Sequence, residues 1–130
     1  MASWDETPSA LRGRRVVIMG LGIQGGGLGV ATYLRDLGVD LVVTDLRSEA
    51  ELRDSVTSLG CEGIRYVLGR HEEDDFRGAE LVVRNPAVPA DSPYLRVARM
   101  AGARIETEMT LFLRWCPRGS VIGVTGTRGK

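Results

Sequence analysis

The segment VVIMGLGIQG, residues 16–25, constrains the architecture more than any other part of the chain. Its apolar start is typical of a strand buried on both faces, and we predict a strand over 15–20. Gly20, Gly22 and Gly25 follow in the pattern G-x-G-x-x-G. The first glycine permits a tight turn, the second lets a diphosphate approach the backbone, and the third lets the next helix pack closely. The helix N-terminus then offers free N–H groups to an anion.

Apolar runs and helical patterns alternate along the rest of the chain. We predict further strands over 39–44, 63–68, 80–84, 103–108 and 120–125. Helices are expected over 24–37, 48–59, 91–102 and 108–115, with a polar turn or a single helical turn at 71–79. Short connections between alternating elements favour right-handed crossovers. The predicted fold class is therefore α/β, a Rossmann-like parallel sheet with helices on both faces.

Composition and charge exclude several classes of protein. Lys plus Arg equals Asp plus Glu, 17 each, so no broad nucleic-acid or anionic-membrane surface is expected. No apolar run reaches the roughly 18 residues of a membrane span, and the N-terminus does not resemble a signal peptide. We therefore expect a cytoplasmic protein. Cys61 and Cys116 are far apart in sequence, and we predict reduced, buried packing residues.

A carboxylate follows the second predicted strand. Asp45 lies 20 residues after Gly25, where dinucleotide enzymes place the acid that binds the ribose diol. Arg47 can pair with a phosphate or stack on a base, or it can be a solvated residue ahead of a helix. An NAD-dependent oxidoreductase domain and a catalytically silent Rossmann-like binding module therefore both remain open.

The last ten residues, VIGVTGTRGK, 121–130, indicate a second phosphate site. An apolar run leads into Gly126, Gly129 and Lys130, as at the start of a Walker A loop, G-x-x-x-x-G-K-[ST]. Val124 stands at the position of the first glycine, and no Ser or Thr follows Lys130. A chance run of residues after a strand is the alternative.

Six segments in this order resemble the N-terminal region of the Mur ligases, which add amino acids to UDP-linked peptidoglycan precursors. They are VIMGLGIQG, TDLR, LGRH, VVRNPAVP, GARIETEMTLF and GVTGTRGK, within residues 14–130. The resemblance is greatest to the branch that adds D-glutamate to UDP-N-acetylmuramoyl-L-alanine. It implies a Rossmann-like domain over 1–118 that binds UDP rather than NAD. Residues 119–130 would then form the first strand and the start of the phosphate loop of an ATP-binding central domain.

The resemblance also implies the residues of the UDP site. The loop of Leu21, Gly22, Ile23, Gln24 and Gly25 would face the diphosphate. Asp45, Leu46 and Arg47 would frame the uracil. The same cleft would be bordered by Gly69, Arg70, His71, Asn85 and Pro86. For His71 the sequence suggests no partner.

The family's chemistry would use the C-terminal loop. By resemblance, Gly126, Thr127, Arg128, Gly129 and Lys130 would bind ATP phosphates, with Lys130 as a catalytic residue. ATP and Mg²⁺ would phosphorylate the substrate carboxylate, and the amine of D-glutamate would attack the acyl phosphate. No metal ligand is expected in this chain. We expect a fragment that is inactive alone, with the remaining catalytic groups downstream.

Overall fold

The structure is a computed structural model that describes residues 7–22, 26–116 and 119. Several predicted features lie outside these residues. They are Ile23, Gln24 and Gly25 of the glycine loop, the strand over 120–125, and the loop at 126–130.

Strands and helices alternate as the apolar pattern predicts. The strands are β1 (Arg15–Met19), β2 (Asp40–Asp45), β3 (Ile64–Leu68), β4 (Leu81–Arg84) and β5 (Arg104–Glu106). The helices are α1 (Gly26–Leu37), α2 (Arg53–Leu59), α3 (Glu73–Arg77), α4 (Pro93–Met100) and α5 (Glu108–Trp115). A 3₁₀ turn, Pro8–Leu11, precedes β1.

The five strands form one parallel sheet in the order β3-β2-β1-β4-β5. β1 lies at the centre, where Met19 pairs with Thr44 of β2 on one side and with Arg84 of β4 on the other. The connection from β1 leads to β2, whereas β4 lies on the opposite side of β1. The loops that follow β1 and β4 therefore diverge, which opens a crevice at the carboxyl ends of these strands.

Helices cover both faces of the sheet, as predicted. Successive residues of a strand point to opposite faces, so β1 contributes Val16 and Ile18 to one core and Val17 and Met19 to the other. The first core packs against α1, α2 and α5, and the second packs against α3 and α4. Each fully buried Leu or Val contributes about 1.5–3 kcal/mol of hydrophobic free energy. The central strands are therefore held from both sides, and the loops at their ends are placed firmly.

Helix starts differ from the sequence expectation in two places. At the start of the predicted helix 48–59 a capping box forms, since the Ser48 N–H donates to Glu51 at 3.1 Å and the Glu51 N–H donates to the Ser48 hydroxyl at 3.3 Å. These two bonds stabilise a turn and not the start of the helix, because α2 begins at Arg53. Leu52, the residue before α2, is buried. At α4, Ser92 occupies the N-cap position ahead of Pro93, but its side chain makes no capping hydrogen bond.

The predicted burial of the cysteines is wrong for Cys61, which is exposed. Gly60 and Gly63 have φ values of +82° and +74°, and the turn that they form carries Cys61 on the outside. Cys116 is half-buried, and both thiols are free. Among the described helices, none is both long and apolar enough to cross a membrane.

Candidate nucleotide-binding site

A cleft of about 610 Å³ lies at the carboxyl ends of β1, β2 and β4, in the crevice described above. Its volume falls within the range of small-molecule sites, roughly 300–1,000 Å³. The residues that line it are Gly20, Leu21, Gly22, Gly27, Asp45, Leu46, Arg47, Glu51, His71, Asn85, Ala87 and Val88.

The glycine loop after β1 forms one wall of the cleft. Gly20 and Gly22 have φ values of +89° and +71°, a region that residues with a side chain rarely adopt. A Cβ atom on Gly20 would lie 2.7 Å from Cβ of Asn85, so a side chain is also excluded sterically. The Gly20 N–H donates to the carbonyl of Thr44 at 2.8 Å. The backbone of this loop is therefore held directly against β2 and Asn85.

Gly27, in the first turn of α1, packs closely against the loop that follows β1. A Cβ atom at this position would lie 2.1 Å from the carbonyl oxygen of Leu21. The sequence pattern assigned the packing role to Gly25, which lies outside the described residues. The run of three glycines, 25–27, was the available signal, but it does not show which of them lacks room for a side chain.

Asp45 joins two loops of the cleft. Its side chain is buried, and one carboxylate oxygen accepts the Gly22 N–H at 3.2 Å. The other oxygen accepts the Arg47 N–H at 2.8 Å. A carboxylate has about four lone-pair sites, so these two bonds leave capacity for a ligand donor. The last residue of β2 therefore positions both the glycine loop and the segment that carries Arg47.

The segment after β3 folds back along the end of β2. The Gly69 N–H lies 2.8 Å from the carbonyl of Asp45 and 2.9 Å from that of Arg47. The backbone of Arg70 pairs with that of Asp45 in an isolated antiparallel β-bridge. The Arg70 side chain pairs with Glu72 at 2.9 Å. Gly69 and Arg70 were predicted from the resemblance to border the cleft, but neither is among the residues that line it.

His71 is half-buried and lines the cleft. Its Nδ1 atom lies 2.7 Å from the Thr44 hydroxyl, and that hydroxyl lies 3.0 Å from the carbonyl of Arg70. The ring also meets Tyr94 edge-on, with 5.1 Å between centroids. Burial lowers the pKa of His71 below its ordinary 6.5, and the charge of Asp45 opposes this shift. The ring is therefore neutral at pH 7, and Thr44 is the partner that the sequence did not reveal.

The loop after β4 forms the opposite wall. The Asn85 side-chain oxygen accepts the Ala87 N–H at 2.9 Å, and the Asn85 N–H donates to the carbonyl of Met19 at 2.8 Å. Asn85 therefore lies in the cleft as predicted from resemblance, whereas Pro86 lines a neighbouring cavity of about 430 Å³. Glu51, Ala87 and Val88 also line the cleft, although none of them was among the predicted site residues.

The described part of the cleft carries groups that can bind a polar ligand. It offers glycine-loop backbone, a carboxylate, an arginine and a neutral histidine. Within residues 7–22 and 26–116, no group of three or more His, Cys, Asp or Glu side chains is arranged to hold a metal ion. Such a set can orient a nucleotide, with backbone and Arg47 toward its phosphates or base and acceptors toward its N–H and O–H groups.

Comparison with known proteins shows which proteins this chain is similar to. The family described as "Mur ligase MurD-like, N-terminal domain" matches residues 14–107. A UDP-N-acetylmuramoylalanine–D-glutamate ligase of Roseiflexus sp. (strain RS-1) is 58% identical over 120 residues, 92% of this chain and 26% of the relative. The ligase of the same name from Treponema pallidum (strain Nichols) is 42% identical over 128 residues, 97% of this chain and 24% of the relative. The chain thus spans about a quarter of the length of these curated relatives.

Solved structures share the fold. A pseudomurein peptide ligase type C from Methanothermus fervidus superimposes with a TM-score of 0.57 and 22% identity, over 78% of this chain and 20% of that one. Glutamyl-tRNA reductase from Methanopyrus kandleri superimposes with a TM-score of 0.52 and 20% identity, over 79% of this chain and 32% of that one. At these identities the likeness concerns the Rossmann-like architecture alone.

Proposed function

The chain belongs to the MurD-like Mur ligase family, and from this premise we propose that its cleft binds the UDP moiety of UDP-N-acetylmuramoyl-L-alanine. The parent protein would be the ATP-dependent ligase that adds D-glutamate to this precursor. The protein would act in the cytoplasm, in peptidoglycan synthesis, a process tied to cell shape and cell division.

The observation that supports this proposal best is the link between Asp45 and the glycine loop. Gly20 and Gly22 present backbone at the crevice, and the Asp45 carboxylate holds the Gly22 N–H at 3.2 Å. In open parallel sheets, nucleotides bind at the carboxyl ends of the strands where the strand order reverses. The cleft has this position, and its glycine backbone leaves room for a diphosphate.

UDP is favoured over NAD by the residues beside Asp45 together with the family. Leu46 is 68% exposed and Arg47 is exposed, and both line the cleft. An arginine stacks on a base or pairs with a phosphate, and an exposed leucine offers apolar contact to a base. The two curated relatives named above are both ligases of a UDP-linked substrate. NAD binding by the same glycine loop is the second candidate function.

The complete reaction would require groups outside the described residues. ATP, held with Mg²⁺, would transfer its γ-phosphoryl group to the substrate carboxylate, which releases ADP and forms an acyl phosphate. The amine of D-glutamate would attack the carbonyl carbon, and inorganic phosphate would leave with loss of a proton from nitrogen. Gly126, Thr127, Arg128, Gly129 and Lys130 would contact the ATP phosphates, with Lys130 stabilising the charge on the transferred group.

Calorimetry tests the proposed ligand directly. The chain is titrated with UDP-N-acetylmuramoyl-L-alanine, with UDP and with NADH, and we expect binding of the uridine ligands and none of NADH. The Asp45→Ala variant should lose about 1–3 kcal/mol of binding free energy, roughly ten- to a hundredfold in affinity, because loop donors and ligand donors lose their acceptor.

Asp40→Ala is the matched control for that variant. Asp40 lies at the other end of β2, is exposed, and pairs with Arg15 at 3.0 Å. Its removal should leave uridine binding unchanged. Tight binding of NADH without binding of either uridine ligand would reject the ligase assignment in favour of an oxidoreductase domain.

A further inference from the structure

The hydrogen-bond chain at His71 determines which nitrogen of its ring carries the proton. The Thr44 hydroxyl has one proton and two close neighbours, the Arg70 carbonyl at 3.0 Å and His71 Nδ1 at 2.7 Å. A carbonyl oxygen can only accept, so the hydroxyl proton is directed to Arg70. Both contacts are then satisfied if Nδ1–H of the ring donates to the Thr44 oxygen.

This arrangement leaves Nε2 of the neutral ring as a hydrogen-bond acceptor. Within the described residues, no hydrogen bond joins Nε2 to another group, and the ring lines the cleft. Thr44 is fully buried and belongs to the central part of the sheet, so its hydroxyl is a fixed partner. The ring is further restrained by edge contacts with Tyr94 at 5.1 Å and Phe76 at 6.0 Å.

The charged groups around the His71 ring do not stabilise its protonated form strongly. On β2, Asp45 is already bonded to the N–H groups of Gly22 and Arg47. On the adjoining segments, Arg70 pairs with Glu72, and Asp75 of α3 pairs with Arg65. Glu73 and Asp74 of α3 both pair with Arg77. On α4, Tyr94 meets the ring edge-on, whereas Arg96 and Arg99 are exposed. Desolvation outweighs the attraction of Asp45 and lowers the pKa of His71.

We propose that His71 is a specificity-determining residue of the cleft, where Thr44 holds the Nδ1–H tautomer and Nε2 accepts a hydrogen bond from an N–H or O–H group of the bound nucleotide. This role depends on the proposed uridine nucleotide function. A diphosphate has no such donor, so His71 reads the uracil N3–H or a ribose hydroxyl and does not contact the phosphates as a cation. Removal of the acceptor therefore weakens binding and changes its pH dependence.

The tautomer can be measured without any ligand. His71 is the one histidine of the chain, so the ¹⁵N imidazole signals of the 130-residue protein belong to it. At about pH 8 we expect a pyrrole-like Nδ1 and a pyridine-like Nε2. Thr44→Val should remove this preference, whereas Thr32→Val should not. Thr32 is the matched control because its hydroxyl also donates to a carbonyl, that of Leu28 at 2.8 Å, but it does not line the cleft.

The acceptor role is tested by the affinity for a UDP-sugar between about pH 5 and 8, since a doubly esterified diphosphate lacks the ionisation near pH 6 of a terminal phosphate. Wild-type affinity should be constant above the pKa of His71 and fall as the pH drops through it. His71→Phe should bind about two- to tenfold more weakly at pH 8, the effect of one lost hydrogen bond. His71→Gln, which keeps an acceptor without a proton equilibrium, should restore affinity and remove the pH dependence.

Ligand analogues identify the donor. If N3 of uracil donates, N3-methyl-UDP binds weakly to the wild type and His71→Phe adds no further loss. If a ribose hydroxyl donates, the same behaviour is found with 2′-deoxy-UDP. An Nε2–H tautomer in the free protein, wild-type affinity in His71→Phe, or affinity that rises on acidification would overturn the proposal. If the wild type binds no uridine nucleotide at any pH, both the proposed function and the proposed role of His71 in binding fail. The tautomer measured in the ligand-free protein then still shows whether Thr44 orients the His71 ring.

Discussion

Two glycines of α1, Gly27 and Gly29, differ in the space that a side chain would have. Gly27 faces the carbonyl of Leu21 with no room for a methyl group, whereas nothing lies within 4 Å of a Cβ atom on Gly29. The same substitution therefore probes packing at one position and helix propensity at the other. The contrast identifies the contact that holds the start of α1 against the loop of the cleft.

We predict that Gly27→Ala destabilises the protein by about 1–3 kcal/mol, because the loop or the helix must shift to admit the methyl group. Gly29→Ala should stabilise it by about 0.5–1 kcal/mol, because alanine loses less backbone entropy in a helix. Urea unfolding of both variants and the wild type measures the difference. Equal free energies of unfolding for the two variants would show that the close approach of Gly27 to Leu21 is absent.

Among the helices, α4 and α5 begin in different ways. At α5, the Thr107 hydroxyl accepts the Thr110 N–H at 3.2 Å, and the Thr110 hydroxyl accepts the Thr107 N–H at 2.8 Å. At α4, Ser92 has the N-cap position but its side chain makes no such bond. The N-cap bonds satisfy N–H groups that have no partner within the helix, so α5 depends on its cap and α4 depends on packing and on Pro93.

Thr107→Ala should therefore reduce the local stability of α5 by about 1 kcal/mol, the usual contribution of an N-cap side chain. Amide hydrogen exchange of Thr110 and Leu111 should accelerate roughly fivefold. Ser92→Ala is the control, and the amides of α4 should exchange at the wild-type rate. A similar acceleration in both variants would mean that the Ser92 side chain caps its helix in solution.

The protein as a whole should lose stability on mild acidification because of its single histidine. His71 has a pKa below 6.5 in the folded chain and about 6.5 in the unfolded chain. Between these values the unfolded chain binds a proton that the folded chain does not, so the free energy of unfolding falls as the pH decreases. The contribution is fully present above the unfolded value and disappears as the pH falls toward the folded one.

We predict that the free energy of unfolding of wild type decreases more than that of His71→Phe when the pH is lowered from about 7.5 to 5.5. Carboxylates protonate in the same range, but they are common to the two proteins and cancel in the difference. Urea unfolding at several pH values provides the measurement. Parallel pH profiles for the two proteins would contradict a lowered pKa of His71 in the folded state.

Patterns confined to a few neighbouring residues were sufficient for much of this protein. The apolar run at 16–19 predicted a strand buried on both faces, and the glycines after it predicted a turn into a helix. The alternation of such segments predicted a parallel sheet with helices on both faces, and the observed sheet and its two cores confirm it. These features can be predicted from the sequence because hydrophobic periodicity and turn-forming residues depend only on a few neighbouring positions.

Relations between distant residues required the folded chain. The sequence suggested no partner for His71, which meets Thr44, 27 positions earlier, because the segment after β3 folds over the end of β2. It could not distinguish Gly27 from its neighbours as the glycine without room for a side chain, and it predicted a buried Cys61 that a turn places outside. Local sequence determined the elements and the glycine loop. The partners of Asp45 and His71, and so the chemistry of the cleft, were determined by simultaneous packing of the strands and loops, which no short segment encodes.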